Sequence, residues 1–226
     1  MAKHQKHRTT KHEMKEDKFI SSVMGGAKYA RENVQSVVIV VVIVIAILAG
    51  GIYLQSSRIN RREAAATKLG LAQIAYDTEN YMEAKDTLLS LATSFPKTDA
   101  AKTGFYLLGH LYFALGQMDS AETFWNKFLE SGMDDADMKA ASEAGIAGIL
   151  SNNREFDKSA QKFESIYENY PKYFDRGNML WLAAINYQGA GQIQKSVELL
   201  EKYLEEFEDG SKAMNTRLML AEMRVN

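Results

Sequence analysis

From Ala65 to the end of the chain, apolar and polar positions return in one register every 37 or 38 residues. A small residue opens a helix at Ala84, Ala121, Ser159 and Ser196, and a bulky apolar residue follows four positions later at Leu88, Trp125, Phe163 and Leu200. Ahead of each lies a second helical stripe carrying an apolar pair whose second member is small: Leu108-Gly109, Ile146-Ala147 and Ala183-Ala184. A repeat of this length with two helices per unit predicts an all-α solenoid of about four helix pairs over residues 65–208. A further pair, Leu220-Ala221, stands 37 residues beyond Ala183-Ala184, and no second helix follows it. Residues 209–226 therefore read as a single helix that caps the end of the stack.

Ahead of the repeats the pattern changes. Val37 to Leu54 (VVIVVVIVIAILAGGIYL) holds eighteen residues without a charge, about 27 Å of helix, enough to cross a bilayer core. A cleaved signal peptide would have a shorter apolar run closer to the start, so residues 34–54 are read as a transmembrane anchor. Between Ile52 and Leu69 there is neither glycine nor proline, so the anchor helix is expected to continue through a 55–64 linker into the first repeat. Residues 1–33 form a basic tail. Within it Phe19, Ile20, Val23, Met24 and Ala27 share one stripe, predicting a short amphipathic helix interrupted at Gly25-Gly26.

Charge divides the chain in the same place. The net charge of -2 hides a tail with eight Lys/Arg against four Asp/Glu and a body with nineteen against twenty-five. Lys/Arg counts close to the span are tied, but the whole short tail outweighs the far flank. That orients the N-terminus to the cytoplasm and the body to the far side of the membrane. Ala46 and Gly50 make a small-xxx-small pair suited to packing against another helix.

The second unit carries Phe105, Leu108, Gly109 and Tyr112, then Gly116, then Ala121, Trp125 and Phe128. The first adds Leu71, Ala72, Leu91 and Pro96; the third Leu150, Ile166 and Pro171; the fourth Leu180, Tyr187, Gly191 and Tyr203. This resembles the tetratricopeptide repeat, with small residues at Ala72, Gly109, Ala147 and Ala184 for close helix approach and proline ending second helices. The resemblance implies a groove lined by the first helix of each pair. Its lining would be Leu69, Gln73 and Tyr76; Tyr106, His110 and Phe113; Ala144 and Gly148; Trp181, Ile185 and Gln188. The expected partner-contacting set is Tyr76, Tyr106, His110, Phe113, Trp181 and Ile185, a surface for hydrophobic or extended protein segments.

Candidate chemistry does not accumulate. With no cysteine, thiolate sites and disulfides are excluded. Ser159-x-x-Lys162 and Lys102-Thr103-Gly104 mimic a penicillin-recognising pattern, but in reversed order and on repeat helices. His12-Glu13 lacks a second histidine, His4, His7 and His12 lack supporting carboxylates, and no phosphate-binding glycine motif occurs. Asp134, Asp135 and Asp137 are expected to cap a helix. The acidic body disfavours nucleic acid. A non-enzyme without cofactor, metal or small-molecule substrate is expected.

The order of basic tail (with KHEMKEDKF), anchor, four repeats and cap resembles the bacterial YfgM-like family of ancillary Sec translocon subunits. That resemblance implies an inner-membrane protein with a periplasmic repeat domain. Its anchor would contact the translocon, and its groove a client polypeptide or chaperone. The alternative is a scaffold for envelope assembly or cell division that binds folded partners.

Overall fold

The computed structural model describes residues 13–225, so the histidine-bearing start, with His4, His7 and His12, lies outside the described residues. Among the described residues there are ten helices and no strand. They are α1 (Glu13–Glu32), α2 (Val34–Asp77), α3 (Tyr81–Ser94), α4 (Asp99–Ala114), α5 (Met118–Glu130), α6 (Ala136–Asn152), α7 (Phe156–Asn169), α8 (Arg176–Gly189), α9 (Ile193–Glu206) and α10 (Ala213–Val225). By compactness the chain divides after Ile59 into two units.

In the unit ending at Ile59, α1 runs through Gly25-Gly26, which corrects the expected interruption. Glycine weakens a helix by about 1 kcal/mol but keeps its N–H and C=O, so the ladder survives. Ile20, Val23 and Met24 are exposed, as are nearly all the residues of the apolar run. Helix α2 is the one described helix long and apolar enough to cross a membrane.

The unit from Asn60 onward is a stack of helix pairs. The first helices are residues 60–77 of α2, then α4, α6 and α8; the second helices are α3, α5, α7 and α9. Contacts run between neighbours in order from α3 to α10, with α4 also touching α6. The register residues Ala84, Ala121, Ser159 and Ser196 are all fully buried. Ser159 is tolerated there because its hydroxyl donates to the Ala147 carbonyl at 2.8 Å. The small first-helix positions Ala72, Gly109, Ala147 and Ala184 are buried too. Trp125 shows why: its indole fills the space that a Cβ would take at Gly109 of α4 and Gly145 of α6.

Each hairpin between paired helices closes alike. Glu79, Gly116, Arg154 and Gly191 have φ of 61°, 74°, 61° and 79°. The following N–H reaches back to Ala75, Tyr112, Leu150 and Tyr187 respectively at 2.8–2.9 Å. This left-handed C-terminal cap satisfies carbonyls that the helix end would orphan. At two of four turns a non-glycine residue carries the strained conformation.

Two sequence positions depart from the packing set. Leu71 carries the repeat pattern of the first unit, which predicts a packed position, but it is 57% exposed. Its register equivalents Leu108 and Ile146 pack under the preceding second helix, and no such helix precedes α2 in this unit. Ala221 is exposed for the mirror reason, since among the described residues no second helix packs on that side of α10.

Candidate functional site

The predicted groove residues fall into two groups. On α4, Tyr106 and His110 lie edge-on with ring centroids 4.5 Å apart, one helical turn from each other. The fully buried rings of α5 support them: Phe128 is 5.6 Å from Tyr106 and Trp125 is 5.1 Å from His110. Phe113 leans on Trp125 at 5.7 Å. All three α4 side chains are half-buried, so each presents one side to the surface and takes its orientation from α5. Tyr76 on α2 is half-buried as well and meets Tyr81 edge-on at 5.5 Å.

The second group is on α8. Trp181 is half-buried against the C-terminal core, with the Lys212 ammonium 4.9 Å from its ring. Ile185 is half-buried one turn further on. Leu69, Ala144 and Gly148 are half-buried, and Gln73 and Gln188 exposed. A hollow of about 480 Å³ between Gln188, Ile193, Met219, Glu222 and Met223 takes in Gln188 alone of the predicted positions.

Electrostatics keep the α4 group uncharged. Burial pushes the His110 imidazole below its ordinary value, so it is neutral, and its Nε2 is buried without a hydrogen-bond partner. Burial, then the nearby Asp135 and Tyr76, push the Tyr106 phenol upward. With Nε2 buried, the imidazole cannot offer both its nitrogens to a ligand, whereas the half-buried Tyr106 phenol can both donate and accept. The surface is therefore aromatic and neutral yet able to hydrogen-bond a peptide.

Tyr173 was missed. It is buried in the turn before α8, and its phenol is pushed up to about 12 by burial, then by Asp175, Tyr106 and Asp137. Beside it Phe174, at 4.8 Å between ring centroids, is 84% exposed. The sequence signal was the aromatic pair itself, which lies ahead of the helix and outside its period.

The acidic trio does what a helix start asks of it. The Asp135 carboxylate accepts from the Met138 N–H at 2.9 Å and caps α6, while Asp134 pairs with Lys139 at 3.2 Å. Ser159, Lys162, Lys102 and Thr103 lie on helices α7 and α4, away from any shared centre, and Ser159 is spent on a backbone carbonyl.

A family model described as "Tetratricopeptide repeat-like domain" matches residues 28–176, and one described as "Tetratricopeptide repeat" matches 178–209. No curated protein matches the chain. Similar solved structures include a putative kinesin light chain of Podosopora anserina with nearly identical TPR-like repeats. It is 17% identical over 72% of this chain and 86% of that one, with a TM-score of 0.56. Others are YrrB, a TPR protein with an unusual peptide-binding site (21%, 68% and 74%, 0.53), and PilW, a type IV pilus biogenesis factor (18%, 70% and 70%, 0.52). At these identities the likeness is one of fold. The first match alone spans about two thirds of the chain, so the chain belongs to the tetratricopeptide repeat-like domain family and is a protein–protein interaction module.

Proposed function

We propose that this module is anchored in a bacterial inner membrane by residues 34–54, tail in the cytoplasm and repeats in the periplasm. There it binds extended, apolar-rich segments of secreted or envelope polypeptides beside the translocon. The observation that carries the binding reading is the α4 ladder of Tyr106, His110 and Phe113, half-exposed and braced from behind by Trp125 and Phe128. Half-exposed rings held rigid from behind lose little side-chain freedom on binding, which favours a surface for passing segments. YrrB, described by its peptide-binding site, shares the fold and gives the reading a precedent. The anchor reading is supported by the length of the apolar run. The family match also begins ahead of that run, at residue 28, and so takes in both it and the repeats.

The test is site-specific photocrosslinking in living cells from Phe113, with Ile185 as a second position. Tyr106→Ala with Trp181→Ala is expected to lose client adducts while the helical melt persists; unchanged adducts would sink the reading. Protease accessibility of the repeats in intact spheroplasts checks the orientation.

A second reading is a scaffold for envelope assembly, with folded partners. Phe174 favours it, because an 84% exposed ring on a turn suits a pocket on a folded surface. PilW, a pilus biogenesis factor, is the neighbour in line with that role. Phe174→Ala separates the two readings: a scaffold loses its co-purifying partner, whereas a segment binder keeps its clients.

A further inference from the structure

The face of α2 that carries Leu71 and Ile74 is built to lie under a helix. Leu71 and Ile74 are 57% and 62% exposed. Their register equivalents are Leu108 and Leu111 at 0%, Ile146 and Ile149 at 5% and 4%, and Ala183 and Asn186 at 0% and 3%. Thr67 is exposed, while its equivalents Gly104, Ser142, Met179 and Thr216 are buried. Four further times in this chain, then, the same surface is covered by the second helix of a preceding unit. On α2 it is bare within its unit.

We infer that this face, from Asn60 to Ile74, is a self-association seam that packs in parallel against the same face of a second copy. Three features select a second copy. Asn60, Ala64, Thr67, Leu71 and Ile74 alternate in steps of four and three, the narrow seam of a two-stranded parallel pair. Glu63 and Lys68 flank the seam five residues apart. In a parallel pair those two positions face each other across the interface, so opposite charges meet twice about the two-fold axis. Lys68 donates to Ser90 at 2.6 Å and keeps further ammonium hydrogens for a carboxylate. Third, Asn60 and Thr67 are polar seam residues whose side chains can hydrogen-bond their own copies across a two-fold pair, which a purely apolar partner face would leave unsatisfied. The parallel sense rests on the anchor reading above, because two chains held in one bilayer by residues 34–54 reach Asn60 in the same direction.

Two heptads make a small interface. Pairing therefore depends on the membrane tether, which raises the effective concentration of the two faces. The chain has no cysteine, so Leu71→Cys places a single thiol on the seam. In native membranes carrying the full chain, mild oxidation is expected to give a disulfide-linked species of twice the chain mass. Gln73→Cys, exposed but outside the four-and-three alternation of the seam, is expected to give none. Glu63→Lys is expected to reduce the linked species about tenfold by turning two attractions into two repulsions. Glu63→Lys with Lys68→Glu is expected to restore it. Equal linkage from Gln73→Cys, or no linkage from Leu71→Cys, overturns the proposal. So does an adduct of Leu71→Cys with a different protein, which would give the face to a partner helix. Failure of the anchor reading is seen separately, as chain in the soluble fraction. Because Leu71 is exposed, its variant keeps the wild-type melt.

Discussion

The repeat body ends in two different ways. At its C-terminal end α10 supplies one more first-helix surface: Ala213, Thr216 and Leu220 are buried, with Met219 and Met223 packed against the same core. A polar clasp tightens that end. Tyr167 of α7 donates to Glu206 of α9, and Arg176 of α8 holds the other carboxylate oxygen at 2.9 Å while lying over the Tyr167 ring at 3.8 Å. At the N-terminal end Leu71 and Ile74 stand in the open; α2 shares a buried apolar cluster with α3, but its side-chain polar links to it are single bonds, Arg61 to the Ser94 carbonyl and Lys68 to Ser90. A stack of nearest-neighbour units needs a finished face at each terminus. This body finishes one by itself and leaves the other to be covered.

Truncation after Gly210 has the largest expected effect, because it strips α10 from the α9 face and leaves Leu200 and Tyr203 exposed to solvent on that side. The last pair should then lose cooperativity, with amide exchange of α8 and α9 rising to that of a frayed unit. A point version follows. Leu220→Ala should cost about 2–4 kcal/mol, and Leu108→Ala, fully buried in the same register, about 3–5 kcal/mol in urea unfolding. Leu71→Ala should stay within about 0.5 kcal/mol. If Leu71→Ala in the full chain in membranes costs as much as Leu220→Ala, the N-terminal face is covered there as firmly as the C-terminal one.

The clasp gives a smaller, pH-dependent contrast. Burial works against the Glu206 carboxylate, but the Tyr167 hydroxyl, then Arg176 and Lys202, outweigh it and hold its pKa below the ordinary 4.5. A carboxyl with a depressed folded-state value stabilises above its unfolded value and loses that contribution as pH falls through the folded one. The difference in urea midpoint between wild type and Glu206→Gln should therefore shrink between about pH 6 and about pH 3. A constant difference would mean that the clasp acts through packing alone.

Much of this was legible in the residues because the period is physical. Small residues at Ala84, Ala121, Ser159 and Ser196 are where two helices touch, and every one is buried. The cap and the turn glycines Gly116 and Gly191 follow from the same count. What failed was positional. Leu71 has the residue type of the core but no covering second helix in its unit, and a repeat pattern cannot tell an end unit from an inner one. The groove was legible as a set of helix positions, not as a surface. How far Tyr106, His110 and Phe113 stay open depends on Trp125 and Phe128, whose size decides how much of each ring α5 covers. Tyr173 and Phe174 lie in a turn, where no period applies.

The smallest expected effect separates the ends most cleanly, because it leaves side-chain packing alone. Glu79 in the first hairpin and Arg154 in the third hold the left-handed conformation that Gly116 and Gly191 hold in the other two. For an L-residue that conformation costs about 1 kcal/mol, part of which glycine gives back through the freedom of its unfolded chain. Glu79→Gly and Arg154→Gly should each gain about 0.5 kcal/mol locally. Gly116→Ala and Gly191→Ala, where an added Cβ meets nothing within 4 Å, should each lose about 1 kcal/mol from the backbone alone. The two gains should be read out differently. Arg154 joins α6 to α7 inside the stack, where neighbours on both sides couple it to global unfolding, so its gain should appear in the urea midpoint. Glu79 joins α2 to α3 at the open end, where a unit can fray while the rest stays folded, so its gain should appear mainly as slower amide exchange in α3. If Glu79→Gly in the membrane-held full chain moves the midpoint as far as Arg154→Gly does, the open end is not open there. A second copy lying along α2 would produce that result, and Glu63→Lys in the same background should undo it.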